Sequence, residues 1–150
     1  MALHQSGWVT GAIPIARPQT AHNTHAQLFI VDVPAAGFAS GDILEIGVLH
    51  AFASVIDAAI VPVGDLGAAT VDIGIMSGEM GETTNPDNTA RTVGNELFAG
   101  ATIAGLTRLT KTDALLLQPL EKHRSIGVKF NAAVTGGAGK KIGLMLHFAQ

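Results

Sequence analysis

The sequence predicts an all-β fold, a jelly-roll-like antiparallel β-sandwich of about eight strands with an extended N-terminal arm. Three observations predict it. Four segments between Asp42 and Phe148 alternate apolar residues with polar residues or glycine, the period of a strand that buries one face. Clusters of Gly, Pro, Asn and Asp punctuate the chain between them and supply turn chemistry. The length of 150 residues fits one domain, and a chain of that size buries roughly 68–70% of its unfolded surface without staples.

Residues 1–27 read as an arm, with 28–150 as the sandwich. The arm holds no acidic residue, and Pro14 and Pro18 within it favour extended geometry. Burying Trp8, Val9, Ile13 and Ile15 contributes at most ~6–12 kcal/mol, whereas ordering about fifteen residues costs ~15–30 kcal/mol of backbone entropy. Side chains alone do not hold such an arm still. It needs backbone hydrogen bonds to a sheet edge or to a neighbouring subunit.

Leu28–Val33 is a weakly patterned strand candidate. In Asp42–His50, Leu44, Ile46 and Val48 share a face, and Glu45 and Gly47 point the other way. Ser54–Val63 is apolar on both faces: Ile56, Ala58 and Ile60 on one, Val55, Ala59 and Val61 on the other, with Asp57 among them. Such a strand is either covered twice or lies at a subunit contact. Thr70–Met76 alternates cleanly through Val71, Ile73 and Ile75. Ser77–Asn95 reads as a polar surface loop, followed by a short helical turn at Asn95–Gly100, and Asp113–Leu117 is a further strand candidate. Ser125–Phe130 and Lys141–Phe148 complete the pattern, joined by the turn Thr135-Gly-Gly-Ala-Gly139, which reads as a hairpin. Strands with one apolar and one polar face are antiparallel and pack as two sheets.

Composition narrows the function. Charged residues make up 14% of the chain against roughly 25% in typical soluble domains, and a weakly charged surface promotes association. A net charge of −3 with scattered Lys and Arg argues against nucleic acid as a direct ligand. No apolar run reaches the ~18 residues of a membrane helix, so no membrane partner is expected, and no signal peptide is discernible. Without cysteine there is no disulfide, thiolate site or cysteine nucleophile.

Searches for chemistry give little. Thr135–Lys140 resembles a phosphate loop, but Val134 and Lys141 stand where the pattern needs Gly and Ser or Thr. Ser40 and Ser77 lack the flanking glycines of a nucleophile elbow. His22 and His25 have no companion zinc ligands at the right spacing, and His50 and His147 read as surface or subunit-contact residues. Glu79, Glu82 and Asp87 lack the oxygen-ligand order of a calcium loop. Asp57 and Asp72 form the one carboxylate pair conceivable for sugar chemistry, although Asp57 reads better as the partner of a Lys or Arg. No catalytic, cofactor-binding or metal residue is assigned, and the chain is expected not to be an enzyme.

The stretches Gly41-Asp-Ile-Leu-Glu-Ile-Gly-Val-Leu49, Val55-Ile-Asp-Ala58, Val71-Asp-Ile-Gly-Ile-Met-Ser-Gly78, Asn95-Glu-Leu-Phe98 and Arg124-Ser-Ile-Gly-Val-Lys129, in this order, resemble the jelly-roll decoration, or cement, proteins of tailed-bacteriophage capsids. The resemblance spans roughly residues 38 to 148 and leaves the arm outside. It implies a homotrimer that binds the major capsid protein on the outer surface of the virion, at three-fold and quasi-three-fold positions. On that reading Trp8, Val9, Ile13, Ile15, Arg17, Val55, Asp57 and Val61 are the candidates for the subunit or capsid interface. Two other classes remain open at this point. A carbohydrate- or host-surface-binding module would want aromatic platforms, and the chain has one Trp and no Tyr. A cupin-type metalloenzyme would want clustered His and carboxylates on core strands.

Overall fold

The computed structural model describes residues 1–15 and 23–150. Among these residues nine strands run in the order β1 (Leu3–Gln5), β2 (Thr24–Asp32), β3 (Ile43–Leu49), β4 (Ser54–Val63), β5 (Thr70–Ile75), β6 (Phe98–Thr102), β7 (Thr107–Arg108), β8 (Arg124–Phe130) and β9 (Lys141–Ala149). A 3₁₀ turn, Asp113–Leu116, lies between β7 and β8. The strands form a five-stranded sheet, β1-β3-β8-β5-β6, and a four-stranded sheet, β2-β9-β4-β7. Leaving out β1, the sheets take the first, eighth, third and sixth strands, and the second, seventh, fourth and fifth. That interleaving is the order of a jelly roll.

The apolar side chains enclosed between the sheets follow the alternation. Phe29, Leu144 and Ile60 lie in one row across β2, β9 and β4, and Ile73 opposes Val128 across β5 and β8. All five are essentially inaccessible, and Phe38 stacks on Phe130 with ring centroids 4.2 Å apart.

Two bulges shift the expected parity. In β3, Glu45 pairs with Gly127 but Gly47 pairs with Ile126, so Leu44 and Leu49 face inward while Val48 opposes Ser125 on the outer face. In β4 the bulge falls between Val55 and Asp57. Val55 thereby joins Ala58 and Ile60 in the core, and Ile56 turns out to solvent, 44% exposed. A bulge adds one residue to one strand and reverses every later position, which a strict period of two cannot anticipate.

Other expectations are corrected as well. Asn95–Gly100 is not a helical turn: Phe98–Thr102 is a strand paired with β5, because Phe98 is drawn into the core. Asp113–Leu117 is not a strand. Only Ala114 of the 3₁₀ turn is buried, and Leu115 donates to Thr112 (3.0 Å), so the run never shows one face consistently. The 135–139 turn is not a hairpin, since β8 and β9 belong to different sheets.

The expected arm is placed differently in its described part. Leu3–Gln5 pairs in parallel with Ile43–Glu45 at the sheet edge, Trp8 and Val9 are buried, and β2 begins at Thr24. Backbone hydrogen bonds to a sheet edge are the term that the entropy of ordering required. Arg17 and His22 lie outside the described residues.

Candidate interface surfaces

The middle of the outer face of the five-stranded sheet is covered by the chain itself. Gly74 and Gly127 lie opposite each other on β5 and β8 and leave a trough without side chains. The Met76–Glu96 segment fills it: a Cβ on Gly127 would fall 2.6 Å from Met76 Cγ, and one on Gly74 would fall 2.5 Å from the carbonyl carbon of Gly94. Beneath this cover Arg91 donates to Glu45 Oε1 (2.9 Å) and to the carbonyls of Ser77 and Glu82 (2.7 Å each). Glu45 also accepts hydrogen bonds from Ser125 Oγ, Gly81 N (3.2 Å) and Gln5 Nε2 (2.7 Å). The side chains of Arg91 and Glu45 are 1% and 0% exposed. This network pins both the long loop and β1 to the sheet.

A second clamp sits at Asp42. Burial works to raise its pKa, but the N–H groups of Ala2 (2.8 Å) and Ala39 (2.9 Å), together with His4, hold the carboxyl below the ordinary carboxylate value. Arg124 is also shifted down, from a different cause. Burial lowers its guanidinium pKa while Glu96 opposes that effect.

The residues singled out from the sequence divide among three places. Val55 is core and presents nothing to a partner. Asp57 and Val61 lie on the outer face of the four-stranded sheet, where Asp57 pairs with Arg108 (3.2 Å) and stands 3.9 Å from His147. By register this face carries Leu28, Ile30, Gly143, Met145, Ala59 and Val61, an apolar face on which Leu28, Ile30, Met145 and Val61 are partly exposed and Ala59 and Gly143 buried. Its rim is charged, with Asp57–Arg108 at one end and Lys141–Asp32 at the other. Trp8, Val9, Ile13 and Ile15 instead line a groove of about 330 Å³ with His50, Met80 and His123. Trp8 itself packs edge-on against Phe29.

The remaining chemical candidates are dispersed. Asp57 and Asp72 belong to different sheets, and Asp72 accepts from Gly100 N (2.7 Å). Glu79 pairs with Lys122 (3.4 Å). The Asp87 pKa is lowered by the Thr89 hydroxyl and backbone N–H. His50, expected at the surface, is 4% exposed, with its ring 5.4 Å from those of His123 and Phe148. Among the described residues no three His or carboxylate side chains gather as a metal would require. Phe52, Ile56, Leu115, Leu116 and Leu120 are exposed apolar side chains that no pattern in the sequence singled out, apart from the doubly apolar β4 that carries Ile56.

No protein-family model matches the chain, and no curated protein does. Among solved structures, a chain in the capsid of Ralstonia phage GP4 is 39% identical, with 99% of this chain and 97% of that chain aligned at a TM-score of 0.86. A chain in the cyanophage Pam1 capsid asymmetric unit shares the fold at 13% identity and a TM-score of 0.57, over 93% of this chain and 94% of that one.

Proposed function

The chain belongs to the family of phage capsid proteins that includes the Ralstonia phage GP4 capsid chain, and from that premise we propose that it decorates and stabilises the outside of a bacteriophage shell as a homotrimer at three-fold and quasi-three-fold positions. A structural role in the virion follows from the family. The finer reading, with the major capsid protein and two sister copies as partners, rests on the surfaces. A component that both self-associates and grips a shell needs two adhesive surfaces. The chain offers the apolar face of the four-stranded sheet and an apolar patch at the end of the sandwich where β4 begins.

Preferential binding to the assembled shell stabilises it by mass action. A trimer matched to a symmetric site presents its second and third contacts at high effective concentration. Native mass spectrometry of the purified chain tests the first half of the proposal and sedimentation with undecorated capsids the second. A homotrimer that co-sediments with shells and raises their disruption temperature is expected. A strict monomer that leaves shells unbound overturns the reading.

A further inference from the structure

Two segments far apart in the chain meet over one buried carboxylate. Residues 2–6 lie along β3 as a strap. Within it Ser6 N–H donates to the Glu45 carbonyl (2.9 Å), Ser6 Oγ to the Ile46 carbonyl (2.7 Å), and Gln5 Nε2 to Glu45 Oε2 (2.7 Å). The 77–95 loop holds the same carboxylate, through Arg91 Nη1 (2.9 Å) and Gly81 N (3.2 Å), both donating to Oε1. Strap and loop also touch each other. Gln5 Nε2 donates to the Gly81 carbonyl (2.9 Å) across 76 positions of sequence.

We propose that the strap and the loop leave the five-stranded sheet as one unit latched at Glu45, so that a contact drawing out either segment releases the other. The inference concerns the single chain and stands apart from the trimeric reading. Three observations carry it. First, each half-open state is penalised. Lifting the loop alone takes away Arg91 and Gly81 N and leaves Glu45, 0% exposed, an uncompensated charge that only release of the strap can hydrate. Lifting the strap alone admits water to Oε2, which weakens the attraction to Arg91 that a low dielectric sustains. Second, the strap has little ladder of its own. It makes three parallel pairs with β3, the weaker kind of pairing, so the Gln5 and Ser6 side chains carry much of its hold, while Trp8, packed on Phe29, anchors the chain beyond it. Third, the loop is knit to its own latch. Arg91 donates to the carbonyls of Ser77 and Glu82 as well as to Glu45, so the loop cannot rise without withdrawing the guanidinium.

Amide hydrogen exchange on the full chain tests it, since a cooperative unit shows one opening constant throughout. The reporters are Ser6 N–H on the strap, Thr92 N–H on the loop, bonded to Ser77 Oγ (2.8 Å), and Leu144 N–H on the central strand β9. In the wild type Ser6 and Thr92 should open with one constant, larger than that of Leu144. Two variants then perturb one segment each. Ser6→Ala removes the bond to Ile46 and touches nothing in the loop, yet should speed exchange at Thr92 roughly five- to tenfold. Gly74→Ala crowds the loop at Gly94 and touches nothing in the strap, yet should speed exchange at Ser6, because coupling is reciprocal. Variants that each accelerate only their own segment overturn the proposal. So does equal acceleration at Leu144, which would make the opening unit the whole domain, and so does a wild type in which Ser6 and Thr92 open with different constants.

Discussion

Replacing Arg91 with alanine should be among the most damaging single changes in the molecule. Its side chain is 1% exposed and that of Glu45 0%, so the substitution strands a carboxylate in the interior. It also removes the donors to Ser77 O and Glu82 O. Breaking a buried pair from one side costs about 3–5 kcal/mol. For a chain of this length each kcal/mol moves the melting temperature by roughly 2–4 °C, which gives a fall of about 6–20 °C. Thermal melts followed by circular dichroism, at one fixed protein concentration, measure it. Two controls isolate the cause. Arg108→Ala breaks an ion pair whose partners are 68% and 35% exposed, and should cost less than about 1 kcal/mol. Glu45→Met combined with Arg91→Leu removes both charges and should recover part of the loss, the remainder being the partners that Ser125 Oγ, Gly81 N and the Ser77 and Glu82 carbonyls lose. The reasoning is refuted if Arg91→Ala melts within about 1 kcal/mol of the wild type, or if the double variant is worse than the single.

Three further outcomes are expected. Gly74→Ala places a methyl group 2.5 Å from the backbone of Gly94; it should cost about 1–3 kcal/mol and expose the 77–95 loop to protease, and an uncleaved loop would count against the trough. Asp42 has a folded pKa below the usual 3.8, so its stabilisation is complete above that value and is lost as pH falls through the lower folded one. Emission from Trp8, the single tryptophan, should therefore shift to the red at a higher pH in acid titration of Asp42→Asn than of the wild type; matching titrations would sink this. Self-association should weaken little between low and high salt, because its surfaces are apolar; a steep salt dependence of the trimer in sedimentation would mean that charge drives it.

The alternation of β5, β8 and β9 was legible because both sheets keep register there, and side-chain parity survives wherever no bulge intervenes. Ser54–Val63 was legible to the residue as a strand, yet not which of its faces is inner, because one extra residue at Ile56 moves Val55 into the core. The polar loop 77–95 was recognised as a loop but not as a lid. The missed signal was the glycine at 74 and again at 127, on the face assumed to meet water. A glycine on a strand's outer face marks close backbone approach as readily as solvent. Trp8 and Val9 were picked as apolar residues in need of cover, and within this chain they are buried beside the groove they line. The approach of Phe52 to Leu120, through a backbone hydrogen bond of 2.7 Å, was beyond reach because it is a tertiary contact with no local period.

The shortage of charge has a sharper consequence once the pairs are placed. Glu45 and Arg91 are spent inside the fold, and Asp57–Arg108, Glu79–Lys122, Asp32–Lys141 and Asp113–Lys111 neutralise one another on the surface. The pairs cancel, so the net charge of −3 rests on the few charges outside them, and two copies approaching each other meet only modest long-range repulsion. A low charge alone would yield indiscriminate contact. Specificity then has to come from the contact surfaces themselves, and the face of the four-stranded sheet is rimmed by the ion pairs Asp57–Arg108 and Asp32–Lys141. Rim charges of that kind penalise misaligned contacts more than they strengthen correct ones. On the proposed decoration reading, short-range apolar contact supplies the adhesion and the rim charges fix its register.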